Sequence, residues 1–374
     1  MKSELAVKKR YTGIELLRIT AMFMILGLHY CGMGEASENA EGINLYFARF
    51  MMAFSYCCVN EFVLITGYFW EKNSLILPVG KCVKLYLQTI FYSVGCCLVF
   101  LCLGKSVFSL KEIVYSFAPL TTRHYWFVSV YILLLLITYP LNILIKNMDK
   151  RTHSILVFLI LLLYCLPSTI LPLYMTPDET GGYSLIWFIA LYIIGAYLQK
   201  YEPLKKLSPL KCFSAYSLLC VMVFIAGVVL SALHQRFDIK DYWGAVYKYT
   251  SLPVVLSSVF LFEFFKKLEI KSLFAQRIIR TAAPLTLGVF LLHNNLLVRR
   301  ILLKNILQVP SFYSSWLMPL HYIACVIAVF VVCEIVEYVR QRLFNNINIK
   351  ISEKIQNSVI KIEENIFSRF KVYD

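Results

Sequence analysis

The sequence predicts an all-α integral membrane protein, a bundle of about ten transmembrane helices with both termini in the cytoplasm. Three observations predict it. Of 374 residues, 59% are hydrophobic and only 16% are charged, more apolar surface than a soluble chain of this size can hide. Apolar runs such as "YWFVSVYILLLLITYPLNILI" and "SILVFLILLLYCL" recur along the whole chain, and a helix needs about 20 such residues to cross the hydrocarbon core. Most of the 37 Lys and Arg residues fall on alternate connecting segments, the bias expected of cytoplasmic loops.

The first run, 13–32, follows the basic "KKR" but lacks a small-residue cleavage site and carries polar groups in its body, so it reads as a span and not a signal peptide. The second, 44–70, is long for one crossing and is expected to kink or tilt. Further spans are expected at 82–103, 124–145, 154–174, 183–199, 211–233, 246–265, 281–298 and 317–339. An even number returns the C-terminus to the side of the N-terminus. The first outer loop is then acidic, with Glu35, Glu38 and Glu41, and the third has Asp178 and Glu179 but no Lys or Arg. No internal repeat is evident, so nothing supports an inverted-repeat transporter. The membrane domain is expected over 1–344 and a basic amphipathic tail over 345–374. In that tail Ile351, Ile355, Val359, Ile362 and Ile366 recur at helical spacing. The stripe suits either the inner leaflet or the underside of the bundle.

The net charge of +15 is accounted for by membrane orientation. No nucleic-acid motif accompanies it, and no nucleic-acid partner is expected. The 12 cysteines lie mostly inside apolar runs, where cysteine behaves as a small hydrophobe. No CxxC pairs combine with histidines, so no metal is expected.

The first span holds an acid, a base and an imidazole. Ionisable groups inside a span are costly and face the bundle interior or a watery cavity. At about 100° and 1.5 Å per residue, Arg18 and His29 lie within about 20° of one another and about 16 Å apart along the axis. Glu15 lies about 40° off the same line. A structural polar seam would account for them too, with Arg18 snorkelling, but three on one stripe point to a polar interior.

Arg, ten intervening residues, then His in the first span resembles the opening of the acyltransferase family 3 membrane proteins, and "IELLRITAMFMILGLHY" carries it. In family order follow "VNEFVLITGYFW", "YWFVSVYILLLLITYPLN" and "LGVFLLHNNLLVR", similar to the family's Ser-Gly-Tyr, Trp-bearing and late His-Asn segments. The resemblance runs from about 11 to 300. Four positions depart from the pattern: Glu15 for the commoner Asp, Thr66 for Ser, Lys81 and Lys84 for an Arg-x-x-Arg pair, and Asn294 for Asp. The lysines keep the charge but lose the bidentate fork.

The resemblance implies acyl transfer, usually acetyl, from acyl-CoA to a hydroxyl of a cell-envelope polysaccharide or lipid-linked sugar, in a bacterial cytoplasmic membrane. His29 is then the expected general base, with Arg18 and Glu15 assigned beside it. Sorted by depth, Arg18, Tyr68, Lys81 and Lys84 are expected to hold the donor's phosphates near the cytoplasm. Asn60, Trp126, His293 and Asn294 are expected near the acceptor, with His124, Arg299 and Arg300 toward the outer mouth. Each has a plainer alternative: membrane anchors for Lys81 and Lys84, packing for Tyr68 and Trp126, a satisfied core histidine for His293. Glu61 has no clear counterpart and is open to pairing with Arg18 or Arg49, or to a proton relay. The competing class is a secondary transporter or polysaccharide exporter, which predicts matched broken helices.

Overall fold

The structure, a computed structural model, describes residues 2–72, 76–104, 110–121, 125–170, 180–237 and 243–370. Every regular element among the described residues is a helix. The long ones are α1 (Thr12–Met33), α2 (Ile43–Tyr68), α3 (Val79–Cys102), α4 (Trp126–Asn147), α5 (Lys150–Ile170), α6 (Leu185–Tyr201), α7 (Pro209–His234), α8 (Leu252–Lys267), α9 (Leu273–His293), α10 (Leu296–Phe312) and α11 (Met318–Phe370).

Seven of these, α1 to α5, α7 and α11, are long and apolar enough to cross a membrane; α9 and α10, bent by 68° at their junction, make an eighth if counted as one broken span. Helices α6 and α8 have 17 and 16 residues, short of the roughly 20 that a straight crossing takes. Each of the ten expected runs therefore carries a helix, and seven or eight of them are spans by length and composition. The reason for the two short ones is burial. Helix α6 is apolar on all sides, with Trp187, Phe188, Leu191, Tyr192 and Ala196 fully enclosed, the pattern of a helix surrounded by protein. By contrast α5 turns Ile155, Phe158, Leu162 and Leu163 outward.

Helices α2 and α6 cross in backbone contact. A Cβ on Gly67 would sit 2.3 Å from the Tyr192 carbonyl oxygen, and one on Gly195 2.4 Å from that of Leu64. Small residues allow this approach, which explains Gly67 in "ITGYF" by packing. Helix α2, expected to kink or tilt, is interrupted once. Its arms Ile43–Ser55 and Cys58–Tyr68 are separated at Tyr56 and Cys57. The Tyr216 hydroxyl of α7 donates to the Phe54 carbonyl at 2.6 Å, which takes that acceptor out of the helical ladder.

The α9–α10 bend is held by side chains. Tyr125 donates to the Leu291 carbonyl at 3.0 Å, Asn295 Nδ2 donates to the Tyr125 hydroxyl at 2.9 Å, and Asn295 Oδ1 accepts from the Leu297 amide at 3.1 Å. Helix α11 is tied to α3 by a buried network around Glu337. Its carboxylate accepts two 2.7 Å bonds from Arg340 and one each from Tyr92 and Gln88. The helix runs unbroken through residue 344, where a domain boundary was expected. Over the tail, Gln356 bonds the Gly80 amide and the Leu77 carbonyl, while Ile351, Ile355 and Ile362 face outward. The tail thus docks its polar side under α3 and leaves these three isoleucines exposed.

Candidate active site

Helical periodicity puts Arg18 and His29 on one face of α1, and both line the same cavity, of about 540 Å³. Along α1 its wall passes from Arg18 through Met22 and Ile25 to His29, and Tyr56, Phe62, Trp126, Tyr183 and Tyr249 line it from other parts of the chain. Among the described lining residues Arg18 is the sole charged side chain other than an imidazole. Glu15 stands beside Arg18, 3.4 Å from carboxylate Oε2 to NH1. It is outside the cavity lining and does not reach His29. The other guanidinium nitrogens of Arg18 make no hydrogen bond with the described residues, so they remain available to a ligand.

His29 opens a π-helical turn, His29–Met33, at the end of α1, a local widening that recurs at functional sites. Its Nδ1 lies 2.8 Å from Nε2 of His293, and His293 Nδ1 lies 2.6 Å from the Val289 carbonyl oxygen. That oxygen can only accept, so His293 Nδ1 carries the proton and donates it. In the neutral pair His293 Nε2 is then an acceptor, and His29 Nδ1–H donates to it. The chain of two bonds leaves the Nε2 lone pair of His29 uncommitted, on a ring that faces the cavity. His293 itself is 3% exposed and stands behind His29, off the cavity wall. The substrate-binding role expected for it is replaced by contact with the other imidazole.

A second cavity, of about 340 Å³, is lined by Lys81, Lys84, Gln88 and Phe69, and shares Arg18, Thr66, Leu85 and Tyr131 with the first. Three cations therefore face one basin joined to the imidazole cavity. At the joint the Thr66 and Tyr131 hydroxyls are 2.8 Å apart. Tyr68, expected with these residues, is elsewhere: it is buried, with its ring 5.0 Å from that of Phe262 and the Lys266 ammonium 5.5 Å from its centroid.

The remaining expected residues divide. Trp126 lines the cavity. Asn60 is fully buried; it donates to the Tyr249 carbonyl and Ser258 and accepts from Trp187 Nε1 at 3.1 Å, so it ties helices together and does not reach the cavity. Asn294 is also off the wall, its side-chain oxygen taken by Arg299 NH1 at 3.2 Å. Arg299 also contacts Met33, a cavity residue, which sets it near the imidazole end. Arg300 lines neither cavity, and His124 lies outside the described residues. Glu61 pairs with neither arginine: Arg18 meets Glu15, and Arg49 bonds Ser37 and Ser231 and lies 4.4 Å from the Trp243 ring centre. Both Glu61 oxygens are buried with no hydrogen-bond partner among the described residues. Sequence reasoning missed Tyr56, Tyr131, Tyr183 and Tyr249. For Tyr183 a signal was there, since "TGGYS" sets an aromatic residue directly after two glycines.

Among the described residues no group of three or more His, Cys, Asp or Glu side chains comes together that could hold a metal ion. Fold and site together define a membrane-embedded protein with an imidazole, backed by a second one, on the wall of a cavity that also holds a guanidinium. The acyltransferase domain model of acyltransferase family 3 matches residues 11–338, and the chain belongs to that family. It is an acyltransferase with several apolar membrane helices. No curated protein and no solved structure matches it.

Proposed function

We propose that the protein moves an acyl group, acetyl above all, from acyl-CoA to a hydroxyl of a cell-envelope polysaccharide or lipid-linked sugar, in the bacterial cytoplasmic membrane with both termini inside. The observation that carries this reading is the single cavity with Arg18 and His29 on its wall, joined to a basin that holds Lys81 and Lys84. The CoA phosphates meet the three cations, which supply charge-assisted contacts to anionic oxygens. The pantetheine arm follows the apolar stretch of Met22, Ile25 and Phe62 toward His29. The orientation bias of Lys and Arg puts the basin on the cytosolic side, where acyl-CoA is made.

Chemistry then proceeds at the uncommitted nitrogen. His29 Nε2 takes the proton from the acceptor hydroxyl as its oxygen attacks the thioester carbonyl. The tetrahedral intermediate collapses, the C–S bond breaks, and the CoA sulfur takes the proton from His29 Nε2 and leaves as the thiol, which restores the neutral base. The imidazolium is stabilised during the step by the Nδ1–H bond to His293, whose own ring is fixed by Val289. Glu15 acts on Arg18 alone, as a partner that holds its side chain in place.

The test is purified protein in a lipid nanodisc with isotopically labelled acetyl-CoA and membranes from cells without the gene. Labelled acetyl on the glycan fraction, absent with His29→Ala, is the expected result. Unlabelled glycan, or transfer that survives His29→Ala, would overturn the reading. Net movement of glycan across the membrane without acyl transfer would favour a carrier instead.

A further inference from the structure

Part of the wall of the cavity that His29 lines is aromatic. Four aromatic rings from four separate places in the chain meet there: Tyr56 at the α2 interruption, Trp126 at the start of α4, Tyr183 just before α6, and Tyr249 just before α8. Ring centres are 4.3 Å apart for Trp126 and Tyr183, 5.3 Å for Tyr183 and Tyr249, and 5.0 Å for Tyr56 and Tyr249. Trp126 and Tyr249 lie 6.4 Å apart with planes only 27° from parallel. The wall is graded in exposure, from Tyr249 at 6% to Tyr183 at 44%, so Tyr183 forms its rim.

The backbone is built to hold this rim. Gly181 and Gly182 have φ of +69° and +108°, conformations that a side chain resists. A Cβ on Gly182 would also fall 2.6 Å from Cβ of Tyr249. The Tyr249 amide bonds the Gly181 carbonyl at 3.2 Å, which clips the two tyrosine-bearing segments together. Packing for its own sake would bury such rings. Here they line open volume beside a candidate base.

We infer that Tyr56, Trp126, Tyr183 and Tyr249 are the acceptor subsite, and that they receive a pyranose ring with its C–H face against the aromatic wall and one hydroxyl turned to His29. The chemistry fits on both counts. A pyranose has a face of C–H groups carrying slight positive charge, and an aromatic ring offers a negative face. Its hydroxyl edge needs polar partners, and three phenols supply them at the ends of otherwise apolar side chains. A thin pantetheine arm needs no such platform, and the apolar stretch between Arg18 and His29 already suits it. The assignment rests on the proposed acyl transfer and adds which residues choose the acceptor.

Full-length protein in nanodiscs separates the two claims. Two rates are read with labelled acetyl-CoA: slow hydrolysis to water, and transfer to octyl glucopyranoside and octyl galactopyranoside below their micellar concentrations. Trp126→Ala and Tyr183→Ala should each raise the glycoside concentration for half-maximal transfer about tenfold, the scale of one lost ring contact. Donor KM and hydrolysis should stay within twofold. Trp126→Phe, which keeps a ring face, should recover most of the loss. Gly182→Ala should mimic Tyr183→Ala because it displaces the rim. Unchanged glycoside dependence in both alanine variants, or a matching rise in acetyl-CoA KM, would overturn the subsite. A wild-type protein that neither hydrolyses nor transfers acetyl would instead bring down the acyl-transfer reading, and the subsite with it.

Discussion

The two ends of the cavity are built from different materials. At the Arg18 end, α1 and the start of α3 bring a guanidinium and two ammonium groups to one basin. At the Trp126 end there is no Lys, Arg, Asp or Glu among the described lining residues, and four rings take their place. His29 lines the same cavity. On the proposed reading, the difference teaches how one cavity could take two unlike molecules. Charge recognises an anion through the intervening water, whereas a neutral polyol must be met by shape, ring faces and short hydrogen bonds. Each end would be poor at the other's task.

The largest effect should come from the proposed base. His29→Ala should lower transfer by about 10²- to 10⁴-fold, the usual contribution of a positioned general base, with donor binding retained; labelled acetyl on the acceptor is the readout. A variant at wild-type rate would leave the two ends without a shared chemical step. Next comes the basic end. Arg18→Ala should raise the acetyl-CoA KM by about tenfold or more, since a hydrogen bond to a charged group contributes roughly 1.5–3 kcal/mol, and leave the acceptor KM unchanged. Arg18→Lys should recover part of it, because charge is kept while the fork is lost. If acceptor KM moves instead, the assignment of the two ends is reversed.

His293 sharpens the same comparison, for it touches neither end. His293→Ala should lower kcat by about tenfold to a hundredfold, one to two steps of 1.36 kcal/mol. Both KM values should hold, and the pH dependence of kcat should move. His293→Gln should restore much of the rate, since an amide can accept from His29 Nδ1 and donate to the Val289 carbonyl. Smallest for activity is the framework. Asn60→Ala should destabilise the fold by roughly 1–3 kcal/mol by orphaning the Trp187 N–H, seen as a lower Tm. Transfer at low temperature should persist, because Asn60 lines neither cavity.

Much was legible in the chain itself, wherever the controlling physics is local. Hydrophobic run length located the helices. Helical periodicity aligned Arg18 with His29 on one cavity wall. Lys81 and Lys84 were readable because they sit one turn apart at the head of α3. The contacts of Asn60, Tyr68 and Asn294 were not legible, because a polar or aromatic residue in an apolar run looks the same whether it faces a cavity or locks two helices.

The sequence alone thus determined the class of the protein, its membrane helices and the polar face of α1, since hydropathy and the 3.6-residue turn act over a few residues at a time. Only the tertiary structure decided that His293, 264 positions away, backs His29, that α6 and α8 are enclosed and short, and that four distant rings share a wall. Those contacts depend on how helices cross, and crossing is set by the summed fit of many side chains, which no short stretch of sequence encodes.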